Sequence, residues 1–284
     1  MVGECGEDGE DGEDELRSPL IVSFKTRMSD IPETKHIIKR LLEQTYIYKK
    51  QDKVILNIVS NEETDDAEEF LKSLCDDFPD TIIVNRITYD YGNVTNIVEA
   101  LNYIETENSR MNNTTYSYDT RLIYCEDKVL YPKTMVEVLN LVSLMDSDNS
   151  IWGSTGFDIS NMNVLIRKEH GAPVEVIEAF GGIIARIGTF LPEFKEYIES
   201  IKKDNIFIIM ESSDIVISNY LSKYQHAKKI VNLENKMYSF HHIWSNINQY
   251  GENTIMSRGM VWEKYMDAIY ILSGWKELYL HMII

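Results

Sequence analysis

Arg121-Leu-Ile-Tyr-Cys-Glu-Asp-Lys-Val-Leu-Tyr131-Pro132 is the stretch on which the fold turns. Leu122 to Tyr124 is a short apolar run with β-prone residues, which predicts a buried strand. It leads into the acids Glu126 and Asp127, and Tyr131-Pro132 stops the segment a few residues later. Carboxylates at the exit of a buried strand stand where an α/β sheet receives its ligands, beyond the carboxyl ends of its strands. Acids in that position suit a divalent cation, a ribose hydroxyl, or both.

Outward from this turn the chain alternates strand and helix. Leu20-Ile-Val-Ser-Phe24, Val54 to Val59 and Thr81 to Asn85 are apolar, β-branched runs that predict strands. Between them, Ile37, Ile38, Leu41, Leu42 and Tyr46 recur at helical spacing after Ile31-Pro32, and Phe70, Leu71 and Leu74 do so after the acid-rich stretch 61–68. Ile97, Val98, Leu101 and Ile104 share one face of a helix over 96–104, and the polar residues 106–119 predict a surface loop. After the acidic turn a helix is expected over 134–144, and Gly153-Ser-Thr-Gly156 predicts a tight turn. A hairpin strand is expected at 161–167. Strands or loop edges follow at 174–177 and 181–187, and helices at 189–198 and 215–221. Such alternation calls for a mostly parallel sheet with helices on both faces.

The chain has 284 residues, enough for one large α/β domain, and no apolar run approaches the roughly 18–20 residues of a membrane span. Its net charge of −18 argues against a nucleic-acid backbone as partner. Eight acids fall in residues 1–15 without a Lys or Arg, so residues 1–16 are expected to be a solvated, disordered acidic tail. Residues 17–244 are expected to form the domain, and the aromatic-rich residues 245–284 a helical extension packed on it. Cys5, Cys75 and Cys125 are odd in number and lack metal-ligand spacing, which fits a reducing, cytoplasmic compartment. The N-terminus has neither the basic segment nor the apolar core of a secretory signal. No P-loop, no Gly-X-Gly-X-X-Gly after the first strand, no Gly-X-Ser-X-Gly elbow and no His-Glu-X-X-His motif occurs.

Six blocks, taken in order, resemble one family. They are Ile21-Val-Ser-Phe-Lys-Thr-Arg27, Val54-Ile-Leu-Asn57, Asp90-Tyr-Gly-Asn-Val-Thr95, Glu126-Asp-Lys-Val-Leu-Tyr-Pro132, Val176-Ile-Glu-Ala-Phe-Gly-Gly182 and Ser213-Asp-Ile-Val-Ile-Ser-Asn-Tyr-Leu221. Across residues 20–225 the chain resembles GT-A-fold, nucleotide-sugar-dependent glycosyltransferases, of the small soluble kind found in large DNA viruses and bacteria. The resemblance implies a single Rossmann-type, mixed and mostly parallel sheet flanked by helices. It implies transfer of a sugar from a UDP- or GDP-sugar to a hydroxyl acceptor.

By that resemblance Ser23, Thr26 and Arg27 face the nucleotide, and Asp90, Tyr91, Gly92 and Thr95 follow on the base and ribose side. A turn with a Thr-capped helix is the plain alternative for the second group. The family continues this block Gly-Pro-X-Thr-Lys, where this chain has Gly92-Asn93-Val94-Thr95-Asn96. Glu126, Asp127 and Lys128 fall on the family's three aspartates, which handle ribose and a divalent metal, Mn²⁺ or Mg²⁺. Lys128 leaves two readings: a metal site carried by Glu126 and Asp127, or a lysine that itself meets the diphosphate. Asp214 falls where inverting members keep a general base, with Glu211 as second choice, and a helix N-cap is the alternative for this acid. Trp152, Gly153, Glu178, Phe180 and Gly181 are candidates for the sugar and acceptor side, with packing as the other reading. His242 is a further metal or diphosphate candidate. The rival to an enzyme is a catalytically silent nucleotide-sugar-binding scaffold of the same fold.

Overall fold

The computed structural model describes residues 18–60, 65–111, 115–127, 129–146, 150–158, 171–190, 193–225 and 228–231. The acidic tail over 1–16, the hairpin strand at 161–167, the extension over 245–284, Lys128 and His242 lie outside the described residues. Among the described residues seven strands form one sheet: β1 Leu20–Arg27, β2 Lys53–Val59, β3 Ile82–Ile87, β4 Arg121–Cys125, β5 Ile151–Phe157, β6 Val176–Arg186 and β7 Lys229–Val231. Their order across the sheet is β3-β2-β1-β4-β6-β5-β7. The pairs β1–β2, β2–β3, β1–β4 and β5–β7 are parallel, and β6 runs antiparallel to both β4 and β5. This is the mixed, mostly parallel sheet flanked by helices that the sequence calls for.

The helices are α1 Ile31–Leu42, α2 Asp65–Asp77, α3 Asn93–Met111, α4 Met135–Met145, α5 Phe194–Glu211 and α6 Ser213–Lys223. Each face of the sheet carries its own apolar cluster. On one face Ile21, Ile55, Leu122 and Tyr124 meet Val94, Ile97 and Leu101 of α3, Phe194 and Ile198 of α5, and Ile215 and Val216 of α6. On the other, Leu20, Val22, Phe24 and Ile123 meet Ile38 and Leu41 of α1, Leu71 of α2 and Val136 of α4. A strand covered on both faces has to be apolar at nearly every position, which is why β1 and β4 read as continuous runs rather than alternating ones. Each such fully buried aliphatic side chain contributes about 1.5–3 kcal/mol.

The structure revises several expected elements. Gly153 to Gly156 is not a turn but lies inside β5, which pairs with β6 through a register shift between Gly153 and Thr155. The small residues are there for close approach between strands. A Cβ on Gly181 of β6 would come within 1.2 Å of Ser154 Oγ on β5. The strands or loop edges expected at 174–177 and 181–187 are one strand, because β6 runs unbroken from Val176 to Arg186. The expected loop at 106–119 begins as helix: α3 runs to Met111, with Thr106 and Ser109 hydroxyls donating to the carbonyls of Asn102 and Glu105 one turn back. Such polar, solvent-facing turns look like loop in composition. α5 starts at Phe194 rather than 189 and continues to Glu211, through non-helical backbone at Asn205.

One consequence of the strand order positions the site. From β1 the chain moves outward to β2 and β3, then α3 carries it back across β1 to β4 on the other side. The order therefore reverses between β1 and β4. The crevice outside their carboxyl ends is the switch point at which open α/β sheets take ligands.

Candidate active site

Two helix starts converge on that crevice. Gly92 has φ +58, and a Cβ there would approach Met210 O at 2.9 Å and Ser213 Oγ at 3.0 Å. Glycine thus allows the entry to α3 to press against the α5–α6 junction. The contact is fixed by hydrogen bonds: the Asn93 backbone N–H donates to Ser213 Oγ at 3.2 Å. Tyr91 N–H donates to Thr95 Oγ1 at 2.8 Å, and Gly92 N–H to Asp90 Oδ1 at 3.0 Å.

At the centre is Asn93, 8% exposed. Its Nδ2 donates to Glu126 Oε1 at 3.1 Å and to Asp214 Oδ1 at 3.1 Å. One amide group thereby joins the acid at the end of β4 to the acid in the first turn of α6. Asp214 is 5% exposed. Burial pushes its carboxyl well above the usual carboxylate range, and the charges of Glu126 and Glu178 push it the same way; hydrogen bonds from Asn93 and the Ala179 N–H only partly oppose this. Glu126 is raised as well, by burial and by Asp127, against the Asn93 hydrogen bond and the charge of Lys25. Its backbone is anchored by Tyr131, whose hydroxyl accepts from Glu126 N–H at 2.9 Å and donates to Glu126 O at 3.0 Å. The Tyr-Pro stop therefore holds the acidic turn in place.

Lys25 supplies positive charge at the mouth of β1. Phe24 pairs with Cys125 in the β1–β4 register, so Lys25, still paired with Asn57 of β2, stands beside Glu126, the first residue past β4. Lys25 Nζ donates to Asp90 Oδ1 at 2.7 Å, and Arg27 stands 3.5 Å from Asp90 Oδ2. Burial pushes the Asp90 carboxyl up, but Lys25, the Gly92 N–H and Arg27 together outweigh it and hold the group below its ordinary value. Tyr91 stacks on Tyr89 with ring centroids 4.7 Å apart, and Lys202 Nζ lies 5.0 Å from the Tyr91 ring centre.

The other expected residues fall in different places. Ser23 is buried beneath the crevice: its hydroxyl donates to Asn96 O at 2.8 Å and accepts from Asn57 Nδ2 at 2.9 Å, tying β1 to α3 and β2. Thr26 faces α1, 3.4 Å from Thr34 Oγ1. Trp152 packs against the α4-side cluster, and its Nε1 donates to Asp146 Oδ2 at 3.2 Å. Gly153 pairs with Ile183 in the sheet, and Gly181 accommodates Ser154. Glu178 of β6 is close enough for its charge to act on Asp214. Asp127 is half-buried beside Glu126. Phe180 and Glu211 belong to β6 and to the end of α5, and their side chains lie outside the described residues.

The structure thus gathers Asp90, Gly92, Thr95, Glu126 and Asp214, with Glu178 in electrostatic reach, and turns Thr26 and Trp152 elsewhere. It adds Asn93 and Lys25, which the sequence did not single out as site residues. The one trace of Asn93 in the sequence is that it stands where the resembled pattern has proline, which by itself assigns it no role. Among the described residues no three His, Cys, Asp or Glu side chains gather into a metal-binding cluster. The adjacent carboxyls of Glu126 and Asp127 offer two oxygen donors. That number fits Mg²⁺ or Mn²⁺ when phosphate oxygens and water complete the shell.

No protein-family model matches this chain, and no curated protein matches it. Among solved structures it is similar to PcManGT, a mannosyltransferase from Pyrobaculum calidifontis in complex with GDP-Man and Mn²⁺. The identity is 11% over 90% of this chain and 75% of that one, with a TM-score of 0.46. It is also similar to residues 1–349 of TarS from S. aureus, at 10% identity over 90% of this chain and 73% of that one, TM-score 0.43. A 4-diphosphocytidyl-2C-methyl-D-erythritol synthase is similar at 8% identity over 82% of this chain and 98% of that one, TM-score 0.43.

Proposed function

We propose that the chain is a glycosyltransferase that moves a sugar from a UDP- or GDP-sugar to a hydroxyl acceptor by a single displacement. The observation that carries this reading is the Asn93-bridged pair of carboxyls, Glu126 and Asp214, at the carboxyl-end crevice between β1 and β4. Asp214 takes the proton of the acceptor hydroxyl as that oxygen attacks the anomeric carbon. The bond from that carbon to the diphosphate oxygen breaks, and the nucleoside diphosphate leaves with the bonding electrons. A carboxyl lifted above the ordinary range is the stronger base once ionised, and such positioned bases contribute about 10²–10⁴-fold. Glu126 and Asp127 would hold a divalent cation, which when bound neutralises charge developing on the leaving diphosphate. Lys25, Arg27 and Asp90 line the donor side. Free Cys75 and Cys125 accord with a reducing, cytoplasmic setting.

The test is release of nucleoside diphosphate from a panel of UDP- and GDP-sugars. Wild type is expected to turn over at least one donor, Asp214→Ala to lose about 10²–10⁴-fold in kcat, and EDTA to abolish the reaction. Donor binding without turnover in wild type would select the silent scaffold instead. Turnover untouched by EDTA would remove the cation from the scheme.

A further inference from the structure

Asn93 is the residue that, among the described residues, hydrogen-bonds Glu126 and Asp214 with one side-chain amide. A primary amide has two N–H hydrogens, and here both go to carboxyls, one at the end of β4 and one at the start of α6. The backbone N–H of the same residue goes to Ser213 Oγ. One residue at the head of α3 therefore grips both the strand that carries Glu126 and the helix that carries Asp214. Gly92 makes this grip possible, since its left-handed backbone lets α3 start within contact of Met210 O and Ser213 Oγ. An asparagine suits the position for a chemical reason. A lysine or arginine would add a positive charge and pair with the acids outright. A carboxylate would add repulsion to a group of acids that already includes Asp127 and Glu178. The neutral amide donates to both acids and adds no charge of its own.

Resting on the glycosyl-transfer reading of this site, we propose that Asn93 is the positioning residue that fixes the donor-side carboxyl Glu126 and the acceptor-side base Asp214 in a single arrangement before substrates arrive. Asn93 touches neither substrate in this scheme; it acts through the two acids. A donor bound against Glu126 and an acceptor bound against Asp214 are thereby set at a constant separation, which is what an in-line displacement requires.

The experiment compares wild type, Asn93→Ala and Asn93→Ser, each alone and combined with Asp214→Asn. Readouts are kcat and KM for nucleoside diphosphate release from the active UDP- or GDP-sugar, together with crystal structures of the wild type and the single variants. The expected result is a fall of about 10²-fold in kcat with donor KM within about threefold, because the loss is of alignment rather than of binding. In the Asp214→Asn background the same substitution is expected to change kcat by less than about twofold, since residues acting as a unit are non-additive. A purely structural residue would give additive losses, and additivity overturns the proposal. So does kcat within about twofold of wild type in either single variant. If wild type turns over no sugar nucleotide, the transfer reading falls and the crystal structures still decide the matter. Carboxyls of Glu126 and Asp214 that shift when the amide is removed uphold the positioning role, and carboxyls that stay in place overturn it.

Discussion

Asp52 and Asp214 are both buried aspartates, yet they sit at opposite ends of the same sheet and in opposite company. Asp52, 0% exposed at the amino end, accepts from Leu20 N–H at 2.7 Å, Tyr46 hydroxyl at 2.9 Å and Lys49 N–H at 2.9 Å. Every one of these donors belongs to the framework: the start of β1, and the segment that leads into β2. Asp214, 5% exposed at the carboxyl end, shares its one side-chain amide donor with Glu126 and feels Glu178 as a second like charge. The comparison separates burial from purpose. A buried acid given donors is a staple, whereas a buried acid given other acids is held in an unfavourable state that only the rest of the fold sustains.

The largest stability effect should fall on the staple. Asp52→Ala strands three donors, each worth about 1 kcal/mol, so a loss of about 3 kcal/mol and of about 6–12 °C in Tm is expected. Calorimetry showing a Tm within about 2 °C of wild type would mean that Asp52 does not staple the amino end of the sheet.

Asp214→Asn should move the other way. The folded-state pKa of Asp214 lies above its unfolded value of about 3.9, so folding favours the protonated form. Its contribution is complete below the unfolded pKa and is lost as pH rises through the folded one. The neutral isostere keeps that contribution at higher pH. Thermal melts at pH 7.5 are expected to show a Tm above that of wild type. At about pH 4 the gain should vanish. A variant less stable than wild type at pH 7.5 would mean that the carboxylate is welcome there. The same substitution should cost the activity its base, so stability and turnover would part company at a single residue.

The smallest effect is expected at Tyr124. Its hydroxyl is buried without a hydrogen-bond partner among the described residues, and burial followed by the charge of Asp214 pushes its pKa far up. Tyr124→Phe removes an unsatisfied polar group and should raise Tm by about 1–3 °C, from roughly 0.5–1 kcal/mol. A clear loss of stability in melts would show that the phenol has a partner.

The sequence made the sheet legible because its central strands are covered on both faces, which leaves unmistakable apolar runs at 20–24, 54–59 and 122–124. Glu126 and Asp214 were legible for a related reason: an acid directly after a buried strand, or before an apolar helix, stands out against what surrounds it. Asn93 was not legible, since an asparagine beside a glycine at a helix start is the commonest kind of local cap. Its importance comes from partners 33 and 121 positions away, and no local pattern encodes them. Lys25 fell just past the strand expected at 20–24, and its salt bridge to Asp90 depends on how α3 is entered. The glycines of β5 misled because close packing between strands and freedom to turn call for the same residue type.

The pairing of Leu20 with Arg121 has a consequence for how the chain comes into being. Roughly 100 residues separate these partners. At ribosomal rates of about 5–20 residues per second, one flank of β1 waits about 5–20 s for its neighbour to be made. Through that interval an apolar ribbon stands uncovered, and the crevice that would hold a nucleotide has only one wall. Nascent chains halted before residue 121 should therefore be the form most dependent on chaperones.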